Sequence, residues 1–276
     1  METALLRYFV LDTQLRSTCD FNPYVLSEGI TIYEVIRVEQ GVPLFLEEHI
    51  ERFFSSAFLE NISLNISRKL IRKALHMLIK ENRMVQGNVK FLFHRDTAGQ
   101  SRFLAWAMPF FYPSPEQYAQ GVVVGTMAAE RPNPNAKKAL YDLRQRADRL
   151  IKEKKWWEVI YVNRQGLVTE GSRSNLFFVE GHRLLTPELL LVLPGITRAK
   201  VMELARKQGM EVAEAKIRAD DIPLFDACFL TGTSPKVLPV RQWEGHKLDV
   251  NNTFMRRLMK AYDDLVADEV ARGNKE

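Results

Sequence analysis

Three kinds of residue in this chain carry chemical possibilities beyond packing. Glu170 sits next to Gly171 in the corner VTEGSRSN, with apolar sequence on both sides. A carboxylate there is either a solvated turn residue or one aimed into a pocket. Lys137 and Lys138 stand together in NAKKALY, where an amine could act as a nucleophile or simply sit exposed on a helix. Two glycine-hydroxyl stretches suit an anion. In PGITR, Gly195 precedes Ile196 and Thr197 where a helix should open, so first-turn N–H groups, a hydroxyl and the helix dipole coincide. In TGTS, Thr231 to Ser234, a glycine permits a tight turn with further donors. Each stretch also has a plain reading, Thr197 as an N-cap and TGTS as an ordinary turn.

The elements that must position these groups follow from periodicity and turn chemistry. ITIYEVIRVEQGVPLF (30–45) alternates and breaks at Gln40-Gly41, predicting a β-hairpin. One face of its first strand carries Ile32, Glu34, Ile36 and Val38, the other Thr31, Tyr33, Val35 and Arg37. The second face is polar enough to line a cavity or to meet solvent. EEHIERFFSSAFL (47–59) is an amphipathic helix, and a second helix is expected at about 67–82. His49, inside the first, reads as structural, and no second His lies at ligand spacing for a metal. Two strands precede YPSPEQYAQG (112–121), the best linker candidate.

Beyond it come a strand from Val122 to Ala128, the turn RPNPNA and a charged helix from about 139 to 155. A strand containing Val159, Tyr161 and Val162 is joined through the turn NRQG to the Glu170 segment. LPGITRAKVMELARKQG (193–209) is a loop opening a helix closed by Gly209. ACFLTGTSPKVLPV (227–240) is strand, turn and strand, and a final helix starts near 252. The expected fold class is α/β or α+β with mixed sheets, in two domains at 1–114 and 115–276.

The 276 residues are 46% hydrophobic and 26% charged, ordinary for a globular protein and long enough for two subdomains. The net charge of +5 suits an anionic ligand, but the basic residues come in mixed-sign runs such as LRQRADRLIKEKK (143–155), which argues against nucleic acid. Cys19 and Cys228 are far apart and read as buried free thiols in a reducing compartment. There is no signal-peptide pattern and no apolar run long enough for a bilayer, so a soluble, cytoplasmic protein is expected.

Five blocks, GITIYEVIRVEQGVPLFLEEHIERFFSSA, NAKKALY, VTEGSRSNLFFV, LPGITRAKVMELA and TGTSPKVLPV, occur in an order that resembles the class IV aminotransferases. These are the fold-type-IV pyridoxal-phosphate enzymes: branched-chain and D-amino-acid aminotransferases and 4-amino-4-deoxychorismate lyase. The resemblance runs from about residue 29 to 240 and implies a small N-terminal α/β domain, a larger C-terminal pseudo-barrel domain, pyridoxal 5′-phosphate as cofactor and a homodimer.

By this resemblance Lys137 is the Schiff-base lysine, with Ala136 before it and Tyr141 a turn later, while Lys138 stays the rival. Glu170 contacts the pyridine nitrogen and keeps it protonated as an electron sink. Tyr141 lies near the cofactor's phenolic oxygen, although Leu140 replaces the Asn common before that tyrosine. Arg52, Gly195, Ile196, Thr197 and Thr233 are implied for the phosphate, with Ser174 and Asn175 also at the cofactor. An arginine fork suits a phosphate dianion, yet the helical wheel sets Arg52 opposite Phe53, Phe54 and Ala57, where a solvated arginine is the default.

Substrate contacts are implied for Tyr33, Thr233 and Ser234, with Arg37 and Arg95 as candidates for an acidic group or as surface arginines. The Arg-x-His carboxylate trap of the D-amino-acid enzymes is missing, with only RFL at 102–104 and His94-Arg95 in its place. The leading expectation is transfer of an amino group from an amino acid, a branched-chain L-amino acid among the candidates, to a 2-oxo acid. The alternative is elimination from aminodeoxychorismate to 4-aminobenzoate and pyruvate.

Overall fold

The structure, a computed structural model, describes residues 2–26 and 28–275. The chain falls into two compact units, Met1–Phe111 with Ala136–Ala139 and Val266–Glu276, and Tyr112–Asn135 with Leu140–Leu265.

The first unit holds strands β1 (Leu5–Leu11), β2 (Gln14–Ser17), β3 (Ile30–Glu39) and β4 (Val42–Pro43), then helices α1 (Leu46–Leu59) and α2 (Arg68–Glu81), then β5 (Gln86–Arg95) and β6 (Ser101–Met108). They form one sheet in the order β2-β1-β6-β5-β3-β4, antiparallel throughout. The predicted hairpin turn is present: Gln40 and Gly41 have φ of 50° and 82°, the left-handed pair that a two-residue connection requires. Thr31 and Arg37 on one face of β3 are buried and Tyr33 and Val35 half-buried, while on the other face Ile32, Glu34, Ile36 and Val38 are all inside. α1 and α2 cover this face, and Phe53 meets Phe91 at 4.9 Å between ring centroids.

β4 is only two residues long, so it pairs with β3 only at Val38 and Glu39. Nearer its start, the same edge of β3 is taken by residues 137–139. Tyr33 N–H donates to the Lys137 carbonyl at 3.1 Å, Ala139 N–H donates to Thr31 O at 3.0 Å, and Ile32 bridges Lys138. An open edge would leave donors and acceptors unpaired, and this segment satisfies them.

The second unit contains α3 (Pro115–Gln120), β7 (Val122–Ala128), α4 (Tyr141–Lys154), β8 (Glu158–Val162), β9 (Val168–Gly171), β10 (Asn175–Glu180), β11 (Arg183–Pro187), α5 (Ile196–Lys207), β12 (Glu211–Ala215), β13 (Ala227–Gly232), β14 (Lys236–Trp243), β15 (His246–Lys247) and the start of α6 (Thr253–Gly273). Its nine-stranded sheet runs β12-β11-β10-β13-β14-β7-β8-β9, with β15 on β14. The pairs β11–β12, β14–β7 and β7–β8 are parallel and the rest antiparallel. The mixed sheets expected from sequence are therefore one antiparallel sheet and one mixed sheet.

Several predicted boundaries have visible causes. The NRQG turn is tied by Asn163, whose Oδ1 accepts from the Gln165 and Leu167 N–H groups at 3.0 Å each. α5 ends at Gly209 (φ 78°), with Met210 N–H on Ala205 O at 3.1 Å and Gly209 N–H on Arg206 O at 3.0 Å, a doubly bonded glycine cap. The expected linker begins where the first unit gives way to the second, at Phe111 and Tyr112, and most of it is a short helix, α3. Ser114 and Gln117 close a reciprocal capping box around Pro115, which overrides the loop-like composition. α4 begins at Tyr141 rather than 139, because the two residues before its Leu140 N-cap are bonded to β3. Cys228 is buried, but Cys19 is exposed, contrary to expectation, since it lies in a short 3₁₀ turn (Thr18–Asp20) with no buried residue. Among the described residues no helix is long and apolar enough to cross a membrane.

Candidate active site

In the first unit the site is built around Lys137. Its N–H donates to Ser56 Oγ at 3.0 Å and its Nζ lies 5.2 Å from the Tyr33 ring centroid. Lys138 Nζ is 2.8 Å from Glu60 Oε2, in an ion pair. Extended backbone sends successive side chains to opposite sides, so these neighbours have different surroundings rather than sharing an exposed helix face. Tyr33 is half-buried and also carries Lys90 Nζ at 4.7 Å from its centroid. Lys90, unremarked in the sequence, lies 5.5 Å from the Trp106 ring and pairs with Glu2.

Arg52 is not solvated. Its Nε and Nη2 donate to the two oxygens of Glu34, each at 2.7 Å, and His49 Nδ1 lies 2.8 Å from Glu34 Oε2. Glu34 is fully buried. Burial pushes its carboxyl up, but the Arg52 charge and hydrogen bonds, followed by those of His49, outweigh this and hold it at about 2. Burial depresses His49, which Glu34 only partly offsets. The helical wheel failed here because α1 is buried on two sides. Ile50, Phe53 and Ala57 face the core, and the polar stripe His49, Arg52 and Ser56, spaced at three and four residues, is enclosed as well.

The two candidate arginines for an acidic substrate do not converge. Arg37 is buried with Nε 2.6 Å from Glu39 Oε1, and Arg95 is exposed. They lie at opposite ends of the β3–β5 ladder, where Arg37 pairs with Asn88 and Arg95 with Ile30.

In the second unit Glu170 is buried at the end of β9, not solvated in a turn. One oxygen accepts from Arg131 Nη1 at 2.5 Å and the other from Leu193 N–H at 3.0 Å. The Leu193 carbonyl in turn accepts from Asn175 Nδ2 at 3.0 Å. One residue of the LPGIT loop is thus gripped through both its N–H and its carbonyl by the VTEGSRSN corner. At Gly195 a Cβ would lie 1.9 Å from Asn175 Oδ1, so the loop can approach this closely only without a side chain.

Gly195 caps α5 without a side-chain bond, followed by half-buried Ile196 and by Thr197. Thr197 is buried in the first turn with its Oγ1 3.4 Å from Tyr262 Oη, and so is not the N-cap of the plain reading. The register Asn175↔Thr231 between β10 and β13 brings the TGTS turn beside this corner, and Thr233 and Ser234 are half-buried there. Tyr141, the first residue of α4, is 44% exposed.

Ser174 is buried at the same corner. Its hydroxyl donates to Glu158 Oε2 at 3.2 Å, Ser172 Oγ donates to Glu158 Oε1 at 2.6 Å, and Arg173 N–H donates at 3.1 Å. Glu158 is buried, which pushes its carboxyl up, and it organises the serine-rich corner from beneath. Glu34, Arg131 and Glu158 were not singled out from sequence. Each acts through a partner distant in the chain, which no local spacing announces.

A model of the amino-transferase class IV family matches residues 31–243. The chain belongs to that family. All the candidate residues above lie inside the match. The chain is 27% identical over 266 residues to a branched-chain-amino-acid aminotransferase of Pseudomonas aeruginosa, covering 88% of this chain and 86% of the relative. It is 29% identical over 234 residues to a D-alanine aminotransferase of Bacillus licheniformis, covering 80% and 81%. Its fold is that of a branched-chain amino acid aminotransferase of Escherichia coli, at a TM-score of 0.87 and 22% identity over 96% of each chain. A second such enzyme with the same TM-score, 21% identical over 97% of this chain and 96% of the other, was solved with pyridoxamine 5′-phosphate. The protein is accordingly a class IV aminotransferase-family enzyme with the fold-type-IV architecture expected from its sequence.

Proposed function

We propose that this enzyme uses pyridoxal 5′-phosphate to move an amino group from an amino acid, with branched-chain L-amino acids as the first candidates, to a 2-oxo acid. The observation that carries the reading is the buried Glu170 carboxylate, fixed at both oxygens by Arg131 and Leu193 N–H. A carboxylate so fixed is ready to accept a hydrogen bond from a pyridinium N–H without further reorganisation.

The donor set fits the cofactor in kind. It offers an amine at Lys137, a carboxylate at Glu170, a half-buried guanidinium at Arg52 and, at Gly195, a close approach that a Cβ would block. When bound, pyridoxal phosphate supplies an aldehyde for amines and a cationic ring that withdraws electrons from the substrate Cα. Lys137 Nζ would hold the cofactor and, once released by substrate, would take the proton from the substrate Cα and carry it to the cofactor's side of the new bond. Glu170 would hold a proton on the ring nitrogen. On the family resemblance, Arg52 would serve the phosphate, as would the first-turn amides of Ile196 and Thr197 and the side chain of Thr233, and Tyr141 would serve the phenolic oxygen. Asn175 and Ser174 support the corner that carries Glu170.

Tyr33 walls the substrate pocket, and Thr233 and Ser234 present donors to the substrate carboxylate. Arg37 and Arg95 receive no substrate role, given the Glu39 pair of the one and the exposed strand-end position of the other. A homodimer is proposed on the family resemblance and is checked by light scattering.

The test is a panel of single L- and D-amino acids given to the purified protein, followed by 2-oxoglutarate. Conversion of its yellow absorbance to the pyridoxamine form by branched-chain L-amino acids, and recovery with the oxo acid, is expected. No conversion by any amino acid, with pyruvate released from aminodeoxychorismate, would replace transfer with elimination.

A further inference from the structure

We propose that Glu34 is a positioning residue for anion binding: its carboxylate clamps the Nε–Nη2 edge of Arg52 and so aims that guanidinium at the cofactor phosphate. The inference rests on the reading of Arg52 as a phosphate ligand and assigns a function to a buried charge cluster outside the residues given direct roles.

Stability alone accounts poorly for the cluster. Glu34 is fully buried, with Arg52 and His49 at 2.7 and 2.8 Å. Burying such charges carries a desolvation cost that well-packed apolar residues of similar volume often avoid at no loss of stability. The surroundings are already apolar enough for that solution, since Ile32 and Ile36 flank Glu34 along β3 and Ile50 and Phe53 flank His49 and Arg52 on α1. What hydrocarbon cannot do is hold a guanidinium in one plane. An arginine on a helix has several rotatable bonds, and only a two-point partner fixes the direction of its donors. Glu34 provides two points, one oxygen for Nε and the other for Nη2, while His49 braces the second oxygen.

The location is consistent with an anion site. The same stripe of α1 continues to Ser56, which receives the Lys137 N–H at 3.0 Å, and Lys137 is near enough for its charge to oppose protonation of His49. One helix face therefore orients both the guanidinium and the segment that carries the candidate nucleophile.

The test measures phosphate preference rather than turnover. Cofactor-free full-length protein is titrated with pyridoxal 5′-phosphate and with pyridoxal, and the preference for the phosphorylated ligand is compared among wild type, Glu34→Gln, Arg52→Ala and the double variant. Glu34→Gln is expected to lower that preference about 10- to 100-fold, the range typical when a partner behind a ligand is removed, and to leave pyridoxal binding within about twofold. The double variant should match Arg52→Ala, because Glu34 acts through Arg52. Should Glu34→Gln not fold, Glu34→Asp keeps the charge with a shorter reach and is read by the same ratio. An unchanged ratio, or equal loss of both ligands, overturns the positioning role. A wild-type ratio in Arg52→Ala overturns the phosphate reading of Arg52 itself, which the Glu34 variants alone would not do.

Discussion

Arg131 and Glu170, 39 residues apart in sequence, meet with Nη1 and Oε1 at 2.5 Å, and the Leu193 amide holds the other carboxylate oxygen at 3.0 Å. The acid is therefore oriented before any ligand arrives. Removing one of its two supports should let it turn. Arg131→Ala is expected to lower kcat about 10- to 100-fold, and Glu170→Gln by about 100-fold or more, with cofactor still bound in both, in line with the cost of losing one preorganised electrostatic partner. Steady-state kinetics alongside cofactor absorbance checks this, and unchanged turnover in Arg131→Ala would show that the pair is only structural.

The two adjacent lysines should separate cleanly. Lys137→Ala is expected to abolish the yellow colour that borohydride bleaches. Lys138→Ala should keep it and lose less than about 1 kcal/mol of stability, because its ion pair with Glu60 is partly exposed. Peptide mapping of the reduced, labelled protein identifies the residue directly.

The buried cluster makes stability depend on pH with a definite sign. His49 has a folded pKa below its usual 6.5 and Glu34 one of about 2, below its usual 4.5, so in both cases the unfolded chain binds the extra proton. Stability is then complete above pH 6.5, falls as His49 would protonate, and falls again from pH 4.5 toward 2. Thermal unfolding across this range should show both limbs, and His49→Gln should remove the upper one.

Gly195 offers a steric test. A Cβ there would reach 1.9 Å from Asn175 Oδ1, so Gly195→Ala must push Asn175 off the Leu193 carbonyl. A loss of about 1–3 kcal/mol in thermal or urea unfolding is expected from the broken buried bond and the overlap, together with weaker cofactor binding. Normal stability and binding would mean that the corner has slack.

Much of this architecture could be read from the amino acids because it depends on near neighbours. The Gln40-Gly41 hairpin, the NRQG turn and the Gly209 cap are local backbone solutions, each enforced by one residue type at one place. Composition marked YPSPEQYAQG as a linker, and the unit boundary falls at its start, but it did not reveal the capping box that makes a helix there. The pairings among the candidate site residues were not legible. Arg52 looked solvated because a wheel assumes that polar means wet, yet its partner Glu34 lies on β3, an element the wheel does not see. Ser174 turns to Glu158, 16 residues back, and Arg131 was hidden in a turn noted only for its prolines and asparagines. Such pairings depend on strand order and register, which emerge only when the sheets assemble.

The unequal placement of the two cysteines offers a practical handle. Cys228 is sealed in the core, where burial pushes its thiol far from ionisation, whereas Cys19 sits on an exposed turn. A maleimide dye added to the native enzyme should attach at one position per chain. Distances between two such dyes would then report subunit assembly without any engineered substitution.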